Sequence, residues 1–254
     1  MSRQLRADDI VHIGDDVHLV SGSNTNWVIV KDGADAILVD SGYPNDHDLL
    51  MASLDALGLK PESVRAILVT HAHNDHIGAA ERLRLAYGTP VLMHEEEVPH
   101  ARREYLHQVS VRQVLTHAWR PGVLPWAVHA IRAGGTAHIT VTEPAPFPAP
   151  GPLDLPGALV PVHTPGHTAG HCAYLLAGSG ILISGDALVT AHPTSRINGP
   201  QLLPAMFDTD RSAALCSLDI LEGIDADVIL PGHGPAHRGS AKQAAARAWE
   251  HAVR

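Results

Sequence analysis

The sequence predicts an α/β fold, built as two strand-and-helix halves with a helical insertion between them. Three observations carry this. The 254 residues, 45% apolar and 18% charged, suffice for one large domain with a substantial core. Short aliphatic runs alternate with segments of helical periodicity up to residue 93 and again after residue 156. Between them, from residue 94 to about 150, the alternation stops. The expected organisation is a single domain over 1–254, with 94–150 inserted as a helical cap.

The elements follow in order. Val17–Val20, Trp27–Val30 and Ala36–Val39 read as strands, the last two joined by the turn-like Lys31-Asp32-Gly33. Pro44 opens a helix that places Leu50, Leu54 and Leu57 on one face and closes at Gly58. Val64–Val69 is a dense aliphatic run of the kind buried on both faces of a sheet. A helix carrying Ile77, Ala80, Leu83 and Tyr87 follows, then a strand over Val91–Met93. In the insertion one helix is expected across Pro99–Trp119. A second, carrying Val123, Ala127 and Ile131, ends at Gly134-Gly135. Glu143–Pro156 is rich in proline and is expected to be irregular. Four of the ten aromatic residues fall in the insertion: Tyr105, Trp119, Trp126 and Phe147. Strands resume at Leu159–His163, Ala173–Leu176 and Ile181–Ser184. Ala214, Leu218 and Leu221 mark a helix, Val228–Leu230 a strand, and Ser240 caps a final alanine-rich helix.

Composition narrows the function. Eighteen Lys and Arg stand against 27 Asp and Glu, a formal charge of -9, which disfavours a nucleic-acid-binding surface. Cys172 and Cys216 are the two cysteines, too few for a disulfide framework, and a reducing compartment follows. The N-terminus lacks the apolar core of a signal peptide, and no apolar run approaches the roughly 18 residues of a membrane span. A cytoplasmic protein acting on a small molecule, with neither nucleic acid nor membrane as partner, is expected. Nineteen histidines are the anomaly, and they point to metal or proton chemistry.

The centre of that chemistry is His71-Ala72-His73-Asn74-Asp75-His76, between a buried strand and a helix. Residues two apart on an extended chain point the same way, so His71 and His73 can share one metal. Asp75 and His76 lie where the chain turns into the helix and can serve a second. Imidazole and carboxylate suit zinc, and also iron or manganese. Three further turns each follow an apolar strand: Thr164-Pro165-Gly166-His167-Thr168, Ser184-Gly185-Asp186 and Pro231-Gly232-His233-Gly234. Loops at strand ends are where a rigid sheet presents ligands.

In this order the four motifs resemble the metallo-β-lactamase superfamily, and most nearly its glyoxalase-II-like hydrolase branch. Val39-Asp40-Ser41-Gly42 matches that family's first acidic motif. The resemblance covers residues 10–93 and 155–238. It implies a four-layer αβ/βα sandwich with a dinuclear site between the sheets. By the same resemblance His71, His73 and His167 bind one zinc ion, Asp75, His76 and His233 a second, and Asp186 bridges them. Asp40 stands behind the ligands and orients their loop. Val189 stands where acyl-homoserine lactonases of the family carry a tyrosine.

Two metals so placed can bridge a hydroxide that attacks the carbonyl of an ester, lactone or thioester, with Asp75 and Asp186 as the catalytic carboxylates. No Ser-His-Asp or Cys-His pattern competes, and Cys172 reads as packing. The alternatives are an iron enzyme of the persulfide-dioxygenase type and a non-hydrolytic pathway member of the same fold. Around the site, Arg196 is a candidate carboxylate partner and Trp126 a candidate apolar contact. His192 reads as a surface histidine, and His171 as support for the metal shell rather than a ligand.

Overall fold

The computed structural model describes residues 3–253. A seven-stranded sheet runs, in spatial as in chain order, through β1 (Ile10–His12), β2 (Val17–Ser21), β3 (Asn26–Asp32), β4 (Asp35–Val39), β5 (Val64–Leu68), β6 (Val91–Met93) and β7 (Pro144–Pro146). The first four strands pair antiparallel and the rest parallel. Helix α1 (His47–Ala56) crosses from β4 to β5, and α2 (Ala80–Tyr87) from β5 to β6. Between β6 and β7 lie α3 (Val98–Ala101), α4 (Val111–His117) and α5 (Val123–Ala133).

The second sheet contains β8 (Val160–His163), β9 (Cys172–Leu176), β10 (Ile181–Gly185), β11 (Val228–Pro231) and β12 (His237–Arg238), in the order β12-β11-β10-β9-β8. Helix α6 (Arg211–Glu222) makes the crossover between the parallel pair β10 and β11, and α7 (Ala241–Ala252) follows β12. No helix among the described residues is long and apolar enough to cross a membrane.

Strand alternation assembles the layers. On β3 and β4, Ile29, Ala36 and Leu38 face α1 and α2, packing with Leu50, Leu54 and Leu83. Their neighbours Val28, Val30, Ile37 and Val39 point the other way, onto Tyr174, Ile181, Ile183 and Leu230 of the second sheet. Ala173, Leu182 and Ile229 face outward again, onto Leu218 and Leu221 of α6 and Ala244, Ala245 and Ala248 of α7. The four layers are therefore helix, sheet, sheet, helix. Burying the alternate faces of both sheets contributes about 1.5–3 kcal/mol for each large aliphatic side chain.

Two expectations are corrected. The continuous helix expected across Pro99–Trp119 is broken into α3 and α4. Arg103 takes a left-handed φ of +61°, which no helix continues through. Its guanidinium instead donates to the Ala72 and His100 carbonyls and to Asn74 Oδ1, at 2.6–2.9 Å. Helix α4 then starts afresh in a capping box, with Ser110 Oγ accepting from Gln113 N and Gln113 Oε1 from Ser110 N. The Glu143–Pro156 stretch is not wholly irregular either, since β7 lies within it. Two prolines fit there because β7 is the sheet's edge and pairs only with β6.

Candidate metal centre

The strand ends deliver the site. β5 leads directly into His71 and His73, β10 ends at Gly185 before Asp186, and β11 ends at Pro231 before His233. His167 arrives from the turn between β8 and β9. Glycine is required at two of these turns. A Cβ on Gly232 would lie 2.2 Å from Asp186 Oδ1 and 2.9 Å from His76 Cε1. One on Gly166, at φ +129°, would lie 2.0 Å from Ala214 N of α6.

His71 Nε2, His73 Nδ1 and His167 Nε2 form a triangle with sides of 3.0, 3.2 and 3.0 Å. Four-coordinate zinc with Zn–N of about 2.0–2.1 Å demands edges of roughly 3.3 Å. The back nitrogen of His71 donates to Thr70 Oγ1 at 3.0 Å, and that of His73 donates to the His107 carbonyl. Both front nitrogens therefore present lone pairs, which repel at this separation unless a cation lies between them. Asp75 Oδ2, His76 Nε2 and His233 Nε2 make a second group, with 3.8 and 3.6 Å from the carboxylate to the two rings. Asp186 stands between the groups. Its Oδ2 is 3.2 Å from His233 Nε2, 3.5 Å from His167 Nε2 and 3.9 Å from His71 Nε2, and its Oδ1 is 3.6 Å from His76 Nε2. His76 Nε2 and Asp186 Oδ1 are buried with no hydrogen-bond partner. Unpartnered buried polar atoms of this kind are what a metal ion satisfies, so the residues present fit divalent ions.

The electrostatics sort the rings. Burial, then the imidazoles of His76, His73 and His167, hold His71 well below the usual histidine range and therefore neutral. Burial opposes charge on His76 as well, but the carboxylates of Asp186, Asp40 and Asp75 outweigh it and raise that ring well above the range. Burial alone would raise the Asp186 carboxyl, yet His233 and His76 hold it well below the usual value. Metal entry at the second group therefore displaces protons from the ligand shell.

Behind the ligands, Asp40 sits at φ +63° with Oδ2 accepting from His76 Nδ1 and Thr70 Oγ1, both at 2.8 Å, and Oδ1 accepting from Thr70 N. His233 Nδ1 donates to the Asn24 carbonyl at 2.6 Å. His171 Nε2 accepts from Asp186 N at 3.0 Å and its Nδ1 faces Thr164 Oγ1 at 2.8 Å, so its nitrogens are already in use. His171→Ala is expected to keep full metal content, measured by plasma mass spectrometry. It should lose about 1–3 kcal/mol of stability through the unpaired Asp186 N–H. Loss of one ion equivalent would make His171 a ligand.

Several residues that the sequence did not single out belong here. Glu97, wholly buried, accepts from Ala72 N at 2.8 Å, from Gly170 N at 3.2 Å, from Thr168 Oγ1, and from His100 Nδ1 at 2.9 Å. It thus ties the start of the insertion to both loops that carry the first ligand group. Asp208 Oδ1 faces the back nitrogen of His167 at 3.6 Å. Tyr43 lines the cavity over the ligands. Burial, then Asp75, Asp46 and Asp186, push its phenol well above its ordinary range, so it remains a proton donor. None of these lies in a motif; each is recruited by chain crossing.

Two expectations about the rim change. His192 is not a surface histidine: it is buried, 5.1 Å ring to ring from both His233 and Phe207, and burial, then His233, lowers it to about 3. Arg196 is exposed and lines a separate groove with Trp119, Arg120 and Arg211, away from the ligands. Trp126 does line the metal cavity, edge-on to Phe207 at 5.1 Å. Cys172 is buried in β9 and its thiol is pushed up to about 12 by burial, which leaves it inert. A further His94–Glu96–His163 cluster lies on the surface, but the two rings stack 4.0 Å apart at 10°. A nitrogen of each ring is already in use, His94 Nδ1 accepting from Glu96 N at 3.3 Å and His163 Nε2 donating to the Ala169 carbonyl at 2.9 Å.

Residues 20–233 match the family model for the metallo-beta-lactamase superfamily. The chain belongs to that superfamily. Among its relatives, Probable metallo-hydrolase YflN of Bacillus subtilis (strain 168) is 26% identical over 209 residues, covering 78% of this chain and 75% of that protein. Probable metallo-hydrolase YybB of the same organism is 35% identical over 78 residues, which span 31% of this chain and only 33% of that protein. The metallo-beta-lactamase family protein TTHA1429 of Thermus thermophilus superposes with a TM-score of 0.64 at 24% identity, covering 89% of this chain and 74% of that one. BJP-1, a subclass B3 metallo-beta-lactamase of Bradyrhizobium japonicum, gives 0.64 at 16% identity, covering 98% and 93%. At these identities the solved structures show the shared fold.

Proposed function

We propose that the chain hydrolyses an ester, lactone or thioester bond in a small molecule, with two zinc ions held by the ligand groups on either side of Asp186. One observation carries the reading: two His/Asp groups, buried except for Asp75, flank a single carboxylate at the floor of a cavity whose described lining contains no serine or cysteine nucleophile. Bound there, such a pair supplies a deprotonated water at neutral pH and a Lewis acid for the carbonyl.

The chain's own residues divide the remaining work. His71, His73 and His167 form the first ligand group and Asp75, His76 and His233 the second, with Asp186 spanning them. Asp40, Thr70 and the His107 and Asn24 carbonyls fix the tautomer of the rings in front of them. The Asp75 carboxylate, partly exposed at the cavity floor, takes up the proton of the attacking water and returns it to the leaving group. The chain acts as a single domain, 1–254, with residues 94–150 as a cap whose α4 and α5 wall the cavity. A small molecule is favoured over nucleic acid by the charge of -9 and by a described cavity lining without Lys or Arg.

The test is a panel of esters, lactones and thioesters assayed with zinc-loaded enzyme, beside metal analysis of the protein as isolated. Hydrolysis of at least one class with two zinc per chain is expected. Iron with no hydrolysis would instead favour the persulfide-dioxygenase type. If the insertion is a cap, Trp126→Ala should raise KM or lower kcat for a bulky acyl substrate about tenfold while metal content stays at two. A small activated ester should change much less. Equal losses on both substrates, or loss of metal, would make Trp126 structural.

A further inference from the structure

The cavity above the ligand groups has a volume of about 330 Å3. Its floor is polar, made by His73, Asp75, His167, Asp186 and His233. Its walls are apolar. Val111 and Leu115 are one turn apart on α4; Leu124, Val128 and Ile131 follow on one face of α5. These five side chains are 46–72% exposed, although they line the cavity. Helix positions left this open to water are ordinarily polar. Leu124 to Ile131 alone spans about 10 Å at 1.5 Å per residue. The walls therefore form an apolar trough above the polar floor, open to solvent along α4 and α5. Among the described lining residues the carboxylates are Asp75 and Asp186, and no Lys or Arg is present to receive an anionic group. Arg196, the carboxylate partner expected from the sequence, lines another groove.

We infer that the substrate is an uncharged acyl compound: a carbonyl seated over the ligand groups, a linear aliphatic tail lying along the α4–α5 trough, and no carboxylate on that tail. This inference deepens the hydrolase reading and rests on it for the position of the carbonyl. The tail covers apolar surface that the chain leaves uncovered, and each methylene removed from water favours binding. A carboxylate set among these walls would exchange part of its hydration for apolar contacts, with no guanidinium or ammonium beside it in compensation.

The test separates the tail from the chemistry. Primary alcohols from butanol to decanol, which have no bond to hydrolyse, are titrated calorimetrically into zinc-loaded protein. Affinity is expected to rise with chain length, by up to about fourfold per methylene, and 8-hydroxyoctane-1-sulfonate, whose sulfonate is a poor zinc ligand, to bind at least tenfold more weakly than octanol. Val128→Glu and Ile131→Gln, both at exposed positions and checked for folding by circular dichroism, should each flatten the dependence on chain length. They should leave hydrolysis of 4-nitrophenyl acetate within about twofold of wild type. Affinity independent of chain length, or a dependence unchanged in both variants, overturns the inference even if the acetate ester is hydrolysed. Chain-length-dependent binding without hydrolysis of any ester would instead sink the hydrolase reading and leave the trough standing.

Discussion

Asp186→Ala is expected to bind at most one metal ion per chain and to lower hydrolysis by more than a hundredfold. The carboxylate lies within 3.2–3.9 Å of four imidazoles drawn from three strand ends. Removing partners that merely orient metal ligands already costs about 10–100-fold in affinity or activity, and Asp186 stands in front of the ligands. It is also buried, so its loss leaves His76 and His233 without the charge that holds both rings above the ordinary histidine range. Asp186→Asn keeps the shape and removes the charge; it should retain the fold and still lose the second ion. Zinc content of both variants, measured after dialysis against metal-free buffer, decides the point. Two ions per chain and near-normal activity in Asp186→Ala would remove Asp186 from the centre.

Glu97→Ala is expected to destabilise the chain by about 3–5 kcal/mol, the cost of removing one partner from a buried ionic network. The change strands two backbone N–H groups, the Thr168 hydroxyl and the His100 ring. Because Glu97 grips residue 72 between two ligands and residue 168 beside a third, metal affinity should fall with stability. The network also predicts an acid limb. Burial alone raises the Glu97 carboxyl, but the hydrogen bond and charge of His100, then Thr168 and Ala72 N, bring it from 4.5 down to about 2. A carboxyl depressed by folding stabilises above its unfolded value and loses that contribution as pH falls through the folded one. Between about pH 4.5 and 2, metal-free wild type should thus lose roughly 3 kcal/mol more than metal-free Glu97→Gln. Urea titrations in a chelator, at pH 5 and pH 2.5, measure this without interference from metal release. Parallel losses in the two proteins would show that Glu97 is not the titrating group.

Much of the architecture was legible in the chain because strand burial is written in short periods. Ala66–Val69 and Ile181–Ile183 are continuous aliphatic runs, buried in the structure on both faces of their sheets, with Arg65 exposed where the first strand begins. The ligand candidates were legible for a related reason. Motifs such as Thr164-Pro165-Gly166-His167-Thr168 combine a strand end, a turn and a histidine within five residues, so local sequence places the side chain on a loop. The insertion was least legible. Its helical periodicity over 99–119 is genuine as far as propensity goes. It yields where Arg103 turns left-handed to reach Ala72 and Asn74, and where the His107 carbonyl is taken by His73. Those contacts join residues about 30 apart and leave no local trace.

The sequence alone determined the α/β class, its strand-end loops and the candidate residues they carry, since each depends on neighbours within one turn or one strand; the layering and the full ligand set were what the family resemblance implied. Only the tertiary structure decided what surrounds them: Glu97 beneath two ligand loops, His192 inside rather than on the surface, Arg196 outside the cavity, and an apolar trough above the floor. The physical reason is range. Periodicity and turn chemistry are set by bonded neighbours. Burial of a lone polar side chain, and the charge it meets, are set by segments that only the closed fold brings within a few ångströms.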